Sequence, residues 1–563
     1  MQLTRNKLFL ALLLFIISFS TRLLFLDSIP DGFYRDEASV GYNAYSIITT
    51  GRDEFADKFP FIFQALEDYK LPLIVYITAP FIGLFGMNDF WVRFPTAAIG
   101  ALTPLALYFL VSKLFDKKIA FVSSLSLALS PWHILFSRSV NESVISVFTF
   151  VLGFYFLLHL LEKWHWKNLI LSFVFLSLSV ASYRTQFVFI PLMLLTALLF
   201  LRKKPTLWNK NQKNPSLVAL SAFLIFWLFT VSSAGAGRVR DIGLPNSAGV
   251  KLLLEEQIRE DRGQLPVITR VFHNKFNNFL ITAGRNYIGH FDLTYLFFTG
   301  DEKSSNNSTP FMGNLLFIDL PFVILGLVFL IRRKISPAKI LVILWLLSAP
   351  LASSLTVDSP SALRNLISSS AWSVVIAAGI IHFLSFFNNK KKLRLSFTAL
   401  IILLYSANFI FFLHQFFVHK KLNRPWYRDV GLKQAVANTL KLQGEYDRVV
   451  FAQYPDLYVF FLYYGKVEPD LILSRQENVS FKNRKREIMT LINPKYSFME
   501  NDCLLKGDEN TLYVCIKDRI PQDARIIESV RLADDKPAFT FLDFRGQPDR
   551  RLPPGYSPYV DSN

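Results

Sequence analysis

Long apolar segments separated by short basic loops occupy the chain as far as Val418. Hydrophobic residues make up 52% of the 563 residues, and 56 residues are Phe. Several segments approach the roughly 20 residues that a helix needs to cross a bilayer while satisfying its own backbone. The chain is therefore predicted to be a polytopic α-helical membrane protein. Its apolar segments are Leu8–Leu26, Leu71–Gly86, Pro95–Val111, Ile119–Phe136, Val144–Leu161, Leu169–Ser182, Phe187–Leu201, Leu217–Val231, Leu315–Ile331, Ile340–Leu355, Leu366–Phe386 and Leu395–Val418.

The basic residues of the short loops predict the orientation of these segments. Much of the net charge of +18 lies in these loops rather than in aromatic-rich basic patches, which argues against nucleic acid as a partner. Loops rich in Lys and Arg stay on the cytoplasmic side, which places Lys113–Lys118, Arg202–Lys213, Arg332–Lys339 and Lys390–Arg394 inside. The prediction is a multi-pass plasma-membrane protein with a cytoplasmic N-terminus and a C-terminal domain outside.

One apolar segment conflicts with this charge pattern. If Leu71–Gly86 crossed the membrane, every later loop would lie on the wrong side. We therefore expect this segment to lie in the outer leaflet or to re-enter it, which leaves about eleven transmembrane helices. The alternative is that the loop Lys113–Lys118 breaks the rule.

The composition changes after the last apolar segment. Strand-like runs such as RVVFA and TLYVCI alternate with the helix-like VGLKQAVANTLKLQ. We predict a transmembrane domain over residues 1–419, with outer loops 27–70 and 234–314, and a soluble extracytoplasmic α/β domain over residues 420–563. Cys503 and Cys515 flank a turn-like GDEN sequence, and an exported domain permits oxidation, so a disulfide between them is predicted.

The outer loop 27–70 carries three acidic pairs, Asp36–Glu37, Asp53–Glu54 and Glu67–Asp68. Ionised side chains near hydrocarbon are costly and tend to be functional. A carboxylate at the membrane–water boundary could accept a proton from an acceptor hydroxyl or amine as a general base. The alternative is that these acids are solvated loop residues.

Three stretches of the apolar part of the chain carry a distinctive pattern. DGFYRDEASVGYNAYSIITTG follows the first span, and EDYKLPLIVYITAPFIGLFGMNDFWVRFPTAAIGALTPLALYFL comes next with its LFG…R.P pattern. SRSVNESVISVF places a carboxylate at the start of a later span. In these stretches the chain resembles the GT-C class of membrane glycosyltransferases, which use polyprenyl-phosphate sugars and include the protein O-mannosyltransferases and the lipid A aminoarabinose transferases. The resemblance covers about Leu8–Phe200, is topologically consistent as far as Val418, and does not extend to the tail.

The resemblance implies roles for particular residues. Asp36 corresponds to the catalytic carboxylate of the first outer loop, with Glu37 beside it, and Glu142 corresponds to a second acid near the site. Lys70, next to Tyr69, corresponds to the basic residue that meets the donor phosphate. Glu142 stands where the family more often has Asp, and Lys70 follows Tyr69 rather than an acid, so the role of the second carboxylate stays open.

Further cations could stabilise a departing lipid phosphate at the membrane surface. Arg364 is the first candidate after Lys70, followed by Arg138 and Arg184. Each of these side chains could instead be a cation that anchors the end of a span. A divalent cation, Mg²⁺ or Mn²⁺, could be shared by Asp36 and Glu142, although no cluster of ligands demands one.

The expected activity is that of a hexosyl- or pentosyltransferase of the cell envelope. It would move a sugar from a polyprenyl-phosphate donor to a glycan, lipid or protein acceptor on the outer face, with Asp36 as base and with inversion. The alternative is a transporter or flippase for a lipid-linked substrate. A transporter would place ionisable groups inside its spans and show paired broken helices, and the sequence has neither pattern.

Overall fold

A computed structural model of the chain forms two compact units. It describes residues 2–66, 68–201, 210–234, 243–244, 248–261, 266–332, 335–454, 456–474, 484–499, 507–516, 519–521, 524–545 and 557–558. The first unit contains residues 1–24, 69–74 and 96–416, and the second contains residues 25–68, 75–95 and 417–563. The second unit therefore combines the tail with most of the acidic outer loop.

Helices make up almost all regular structure before the tail. Two short strands, Phe63–Ala65 and Asp68–Lys70, lie in the first outer loop. The described helices are Gln2–Leu23, Arg35–Thr50, Leu73–Phe85, Asp89–Leu114, Lys117–Leu129, Pro131–Ser137, Glu142–Glu162, Trp166–Ser182, Gln186–Leu201, Lys210–Ala234, Ala248–Glu260, Pro266–Phe272, Lys275–Gly289, Asp319–Arg332, Pro337–Ser348, Leu351–Ser354, Ser368–Ser385 and Lys391–His414.

The lengths of these helices fit a membrane protein. Among the described residues, five helices are long and apolar enough to cross a bilayer, or six if one bent pair counts as a single span. Five further apolar helices are shorter than a full span. The number of about eleven crossings stays a prediction from the charge pattern.

The segment predicted not to cross forms a short helix. Leu73–Phe85 has 13 residues, which at about 1.5 Å per residue is roughly 20 Å, less than the ~30 Å hydrocarbon core. Its length is thus compatible with a segment that stays in one leaflet.

The segment Ile119–Phe136, expected as one span, is broken in two. The helices Lys117–Leu129 and Pro131–Ser137 meet at an angle of 55°. Pro131 has no backbone N–H to continue the first helix, and the Ser130 hydroxyl instead accepts from the N–H of His133. This break is the reason that the two helices cannot be a straight span.

Two glycines allow close packing of two helices in the first unit. A Cβ on Gly326 would collide with the backbone carbonyl of Val375, and one on Gly379 would collide with that of Phe322. Small residues at such contacts let membrane helices approach until their backbones touch. The helices Asp319–Arg332 and Ser368–Ser385 are packed in this way.

The tail contains the predicted α/β structure. A mixed sheet has five described strands in the order Tyr496–Phe498, Arg448–Phe451, Thr511–Ile516, Pro537–Asp543 and Arg525–Arg531, and two short strands, Arg519–Ile520 and Ser557–Pro558, pair separately. Thr511–Ile516 is buried on both faces, as expected for a central strand rich in β-branched and aromatic residues. The described tail helices are Leu432–Leu442, Leu457–Tyr464, Pro469–Leu473 and Arg484–Ile492.

The core of the tail contains one of the two cysteines. Cys515 lies at 0% exposure in the central strand, beside Tyr513 and Leu542, and is disulfide-bonded. Cys503 lies outside the described residues. The placement of this domain on the outer side stays a prediction.

Candidate active site

The first acidic pair lies at the start of the helix Arg35–Thr50, in the second unit. The loop before this helix is held by Arg93, which lies on the first turns of the helix Asp89–Leu114. The Arg93 guanidinium donates to the carbonyls of Leu26 (3.1 Å), Pro30 (3.2 Å) and Gly32. A single buried side chain therefore fixes the path of the loop that leads to the acidic pair.

Glu37 is enclosed by two cations. Arg93 donates from Nε to Oε1 and from Nη2 to Oε2, both at 3.0 Å, in a two-pronged ion pair. Arg428 Nη2 approaches Oε2 at 3.4 Å, and the N–H of Tyr34 donates to the same oxygen at 3.0 Å. The Glu37 side chain is 2% exposed and that of Arg93 is 1% exposed.

These contacts set the protonation of Glu37. Burial by itself raises the pKa of this carboxyl group, because the charged form loses its hydration. The charges of Arg93 and Arg428 and the hydrogen bonds outweigh burial, so the pKa lies below its ordinary value of 4.5. Glu37 is therefore an ionised, fully paired carboxylate at neutral pH.

Arg35, on the other side of Asp36, is held just as firmly. Its backbone N–H donates to Asp429 Oδ2 at 2.9 Å, and its guanidinium donates to Asp429 Oδ1 at 3.1 Å. The guanidinium also donates to Asp456 Oδ2 at 3.1 Å, and the Tyr454 hydroxyl donates to Asp429 Oδ1 at 2.7 Å. Asp429 is thus shared by three donors.

Asp36 lies between these two fixed residues and is half-buried. It occupies the second position of the helix, where the backbone is held on both sides by ion pairs. The backbone that carries this carboxylate is thus fixed in position, and precise positioning is what a general base requires.

The second acidic pair serves the local fold. Asp53 Oδ1 accepts from the N–H groups of Phe55 and Asp57, both at 2.9 Å. The Glu54 N–H donates to the Asn43 side-chain oxygen at 3.0 Å, and the Asn43 amide donates back to Glu54 at 3.2 Å. Both acids are buried, so they stabilise the loop after the helix. Of the third pair, Asp68 begins a short strand and Glu67 lies outside the described residues.

The remaining sequence-predicted site residues lie in the first unit, and the structure brings three of them together. Arg184 Nη2 donates to the backbone carbonyl of Tyr69, which places Arg184 beside the Tyr69–Lys70 dipeptide. Tyr69 is 51% exposed, whereas Lys70 is buried. An arginine held at an exposed aromatic residue is an arrangement that suits an anion at a membrane surface.

Arg138 ties the first helix to its neighbours. Its guanidinium donates to the carbonyls of Thr21 (2.9 Å) and Leu24 (2.6 Å) and lies 5.7 Å from the ring centre of Phe416. The carbonyls at the end of a helix lack partners within the helix, so a cation there is stabilising. These contacts favour the anchoring role for Arg138 over a role in phosphate binding.

Arg364 lies in the loop before the helix Ser368–Ser385. It donates to Thr356 Oγ1 at 3.1 Å and to the Asp358 carbonyl at 2.9 Å, and the Asp358 carboxylate is 3.8 Å away. The Asn286 amide donates to the Thr356 carbonyl at 3.2 Å and so holds the same loop. The Arg364 side chain is held in place by these contacts. It is 18% exposed, so part of it remains accessible to an anion.

Glu142 is the first residue of the helix Glu142–Glu162 and is half-buried. A carboxylate in this position is favoured by the helix dipole. Within the described ranges, no group of three or more His, Cys, Asp or Glu side chains is close enough together to hold a metal ion. Cation binding by Asp36 and Glu142 stays a prediction.

Sequence reasoning missed the partners of Arg35 and Glu37. Arg93 is the arginine of the quoted LFG…R.P pattern, so the motif contained a signal for it. Arg428 and Asp429 are adjacent opposite charges close behind the last apolar segment, and nothing in their local sequence points to the partners that they meet. Nothing local to Asp456 distinguishes it from a surface acid.

A family model supports the resemblance seen in the sequence. Residues 70–230 match the model described as dolichyl-phosphate-mannose-protein mannosyltransferase. The resemblance to the GT-C membrane glycosyltransferases is thereby confirmed. The matched range includes Lys70, Arg138, Glu142 and Arg184, whereas Asp36 precedes it and Arg364 follows it.

Solved structures of two GT-C enzymes resemble this chain, both with TM-scores below 0.5. The oligosaccharyltransferase of Archaeoglobus fulgidus, tethered with an acceptor peptide, has 15% identity and a TM-score of 0.49, over 81% of this chain and 62% of that one. The chain thus spans less than two thirds of that protein. ArnT from Cupriavidus metallidurans, bound to undecaprenyl phosphate, has 10% identity and a TM-score of 0.49, over 94% and 97%. These scores carry no conclusion about the site, and no curated protein sequence matches the chain.

Proposed function

We propose that this protein is a membrane glycosyltransferase that moves one sugar from a polyprenyl-phosphate donor to an acceptor on the outer face. The matched family model is named for a lipid-phosphate sugar donor, which supports this class of substrate. The observation that carries the proposal is the rigid mounting of Asp36 between two residues that are both fixed by ion pairs.

Asp36 is the general base of the proposed reaction. It takes the proton from the acceptor hydroxyl or amine while the acceptor oxygen or nitrogen attacks the anomeric carbon. The bond from that carbon to the lipid phosphate breaks on the opposite side, so the configuration inverts. The charge that develops on the phosphate must then be stabilised by cations at the membrane surface.

Glu37 is better suited to positioning than to proton transfer. Arg93 occupies both of its oxygens, and its lowered pKa reduces its affinity for a proton. A base with a lowered pKa is a weaker proton acceptor in the transition state. Because Glu37 is already paired through both oxygens, we assign the proton transfer to its neighbour Asp36.

The donor phosphate is proposed to meet Lys70 and Arg364. Lys70 follows the exposed residue Tyr69, whose backbone carbonyl accepts a hydrogen bond from Arg184. An open apolar cavity of about 480 Å³ is lined by residues such as Leu195, Leu347 and Tyr287. Asn286, next to Tyr287 on the helix Lys275–Gly289, donates to the Thr356 carbonyl, and the Thr356 hydroxyl accepts from Arg364, so Thr356 links the rim of the cavity to this cation. Apolar walls beside a cation match a lipid phosphate.

The test is transfer of sugar from a synthetic polyprenyl-phosphate donor by purified enzyme. Asp36→Asn keeps the shape of the side chain but removes the base, so the rate should fall by about 10²-fold or more. Asp57→Asn is the matched control, because Asp57 is an exposed acid of the same outer loop. Near-normal turnover by Asp36→Asn would exclude the mechanism. Movement of the lipid across vesicles without any glycosylated product would instead support the transporter.

A further inference from the structure

The two residues that flank Asp36 both form ion pairs with the C-terminal tail. Arg35 binds Asp429 and Asp456, which are 394 and 421 residues further along the chain. Glu37 binds Arg428, which is 391 residues further along. The ion pairs therefore lie on both sides of the carboxylate to which the chemistry is assigned.

Asp429 fixes Arg35 at two points. One carboxylate oxygen accepts from the backbone N–H and the other accepts from the guanidinium, so both the main chain and the side chain are held. Asp429 itself is fully buried and is oriented by the Tyr454 hydroxyl at 2.7 Å. The first turn of the helix Arg35–Thr50 cannot rotate without breaking these bonds.

Arg428 fixes the loop as well as Glu37. Its Nε donates to the Asp31 carbonyl at 2.9 Å, while its Nη2 reaches Glu37. Gly32 adopts a positive φ of 77°, and a Cβ there would collide with the Arg428 carbonyl. Loop and tail are thus in backbone contact immediately before the helix.

The contact between the tail and the outer loop is made by charged side chains. This favours a role in positioning the loop over a role in merely holding the two segments together. Well-packed apolar residues often stabilise a fold as much as a buried ion pair does, whereas ionic partners specify orientation more narrowly. Another contact between the tail and an early segment differs: the Lys433–Asp89 pair has a lysine that is 59% exposed. The pairs at Arg35 and Glu37 are less exposed than this one, and they lie where the backbone of Asp36 is held.

We infer that Arg428, Asp429 and Asp456 of the tail are positioning residues for the glycosyl-transfer reaction, which act by fixing both neighbours of Asp36. The tail is on this account an integral part of the active site rather than a separate acceptor-binding module. The inference rests on the proposed function, in which Asp36 is the base.

The experiment measures transfer kinetics of full-length Asp429→Asn and Arg428→Gln at varied donor and acceptor concentrations. A displacement of about 1 Å can cost roughly 10²-fold in rate, so we expect kcat to fall about 10- to 100-fold while both KM values stay within about threefold. Lys433→Gln is the control and should keep wild-type kinetics. The double variant Arg35→Asp with Asp429→Arg restores opposite charges and should recover part of the lost kcat.

Four results separate the possibilities. An unchanged kcat in both tail variants would overturn the inference, and a raised acceptor KM at unchanged kcat would show an acceptor-binding tail instead. If Asp429→Asn fails to fold, Tyr454→Phe removes one bond to Asp429 and keeps the ion pair, and it should still lower kcat about threefold or more at unchanged KM. An unchanged kcat in Tyr454→Phe would overturn the inference in that case. Full activity of Asp36→Asn would instead refute the proposed function.

Discussion

Replacing Glu37 with Gln removes one negative charge from a buried cluster and leaves Arg93 and Arg428 facing each other. Their side chains are 1% and 10% exposed, so water cannot solvate the uncompensated charge. Breaking a buried pair by removing one partner costs about 3–5 kcal/mol. For a unit of this size, 1 kcal/mol corresponds to about 2–4 °C in Tm, so Glu37→Gln should lower Tm by roughly 6–20 °C.

The assay is thermal unfolding of the purified protein in detergent, with three matched variants. Lys433→Gln breaks a surface pair and should cost no more than about 1 kcal/mol. Arg93→Gln should resemble Glu37→Gln, and the double variant should lose less than the sum of the two, because the partners are removed together. A Tm within about 3 °C of wild type for Glu37→Gln, or additive losses in the double variant, would refute the reasoning.

The same cluster predicts a dependence on pH. The pKa of Glu37 is lower in the folded protein than its ordinary value of 4.5, so the ionised form is favoured by folding. The resulting stability is fully present above that value and is lost as the pH falls through the folded pKa. Glu37→Gln should therefore lose less stability than wild type when the pH is lowered from about 5 towards 3.

Three other experiments test separate parts of the molecule. Gly326→Ala should destabilise the protein by about 1–3 kcal/mol because its Cβ meets backbone, whereas Gly284→Ala, whose Cβ meets nothing within 4 Å, should not; thermal unfolding distinguishes them. Arg364→Lys should raise the KM for the lipid donor although the charge is kept, since Lys lacks the two-pronged grip on phosphate; a donor titration equal to wild type would remove Arg364 from the site. Single cysteines at Asn88 and Asp116 should be labelled from outside and from inside respectively, and outside labelling of Asp116 alone would contradict the charge pattern.

The sequence was a good guide where the signal is local. Apolar length predicted the helices, and Pro131 could have predicted the break after Ser130, because proline removes a helix hydrogen bond. The motif of the first outer loop predicted a functional carboxylate at Asp36. Glu37 accepts from the N–H of Tyr34, which is the contact of a capping box. The sequence pattern of a capping box usually begins with Ser or Thr, so Tyr at position 34 did not indicate it.

The rest of the site depends on contacts that leave no local trace. Arg428 and Asp429 read as ordinary interfacial charges until their partners are known, and those partners are nearly 400 residues away in sequence, separated by 391 and 394 positions. Spacing and periodicity describe neighbours along one helix or strand. They carry no information about which distant acid a given arginine will meet.

The separation of these partners along the chain also gives the protein an order of assembly during synthesis. Arg93 follows Glu37 by 56 residues and can pair with it early, whereas Arg428 emerges 391 residues after Glu37. At about 5–20 residues per second the ribosome needs roughly 20–80 s to make that stretch. Until then Arg35 lacks both acids that hold it. A chain that is released before the tail is complete would therefore insert into the membrane with the backbone beside Asp36 unfixed, so under the proposed mechanism only full-length molecules would be active.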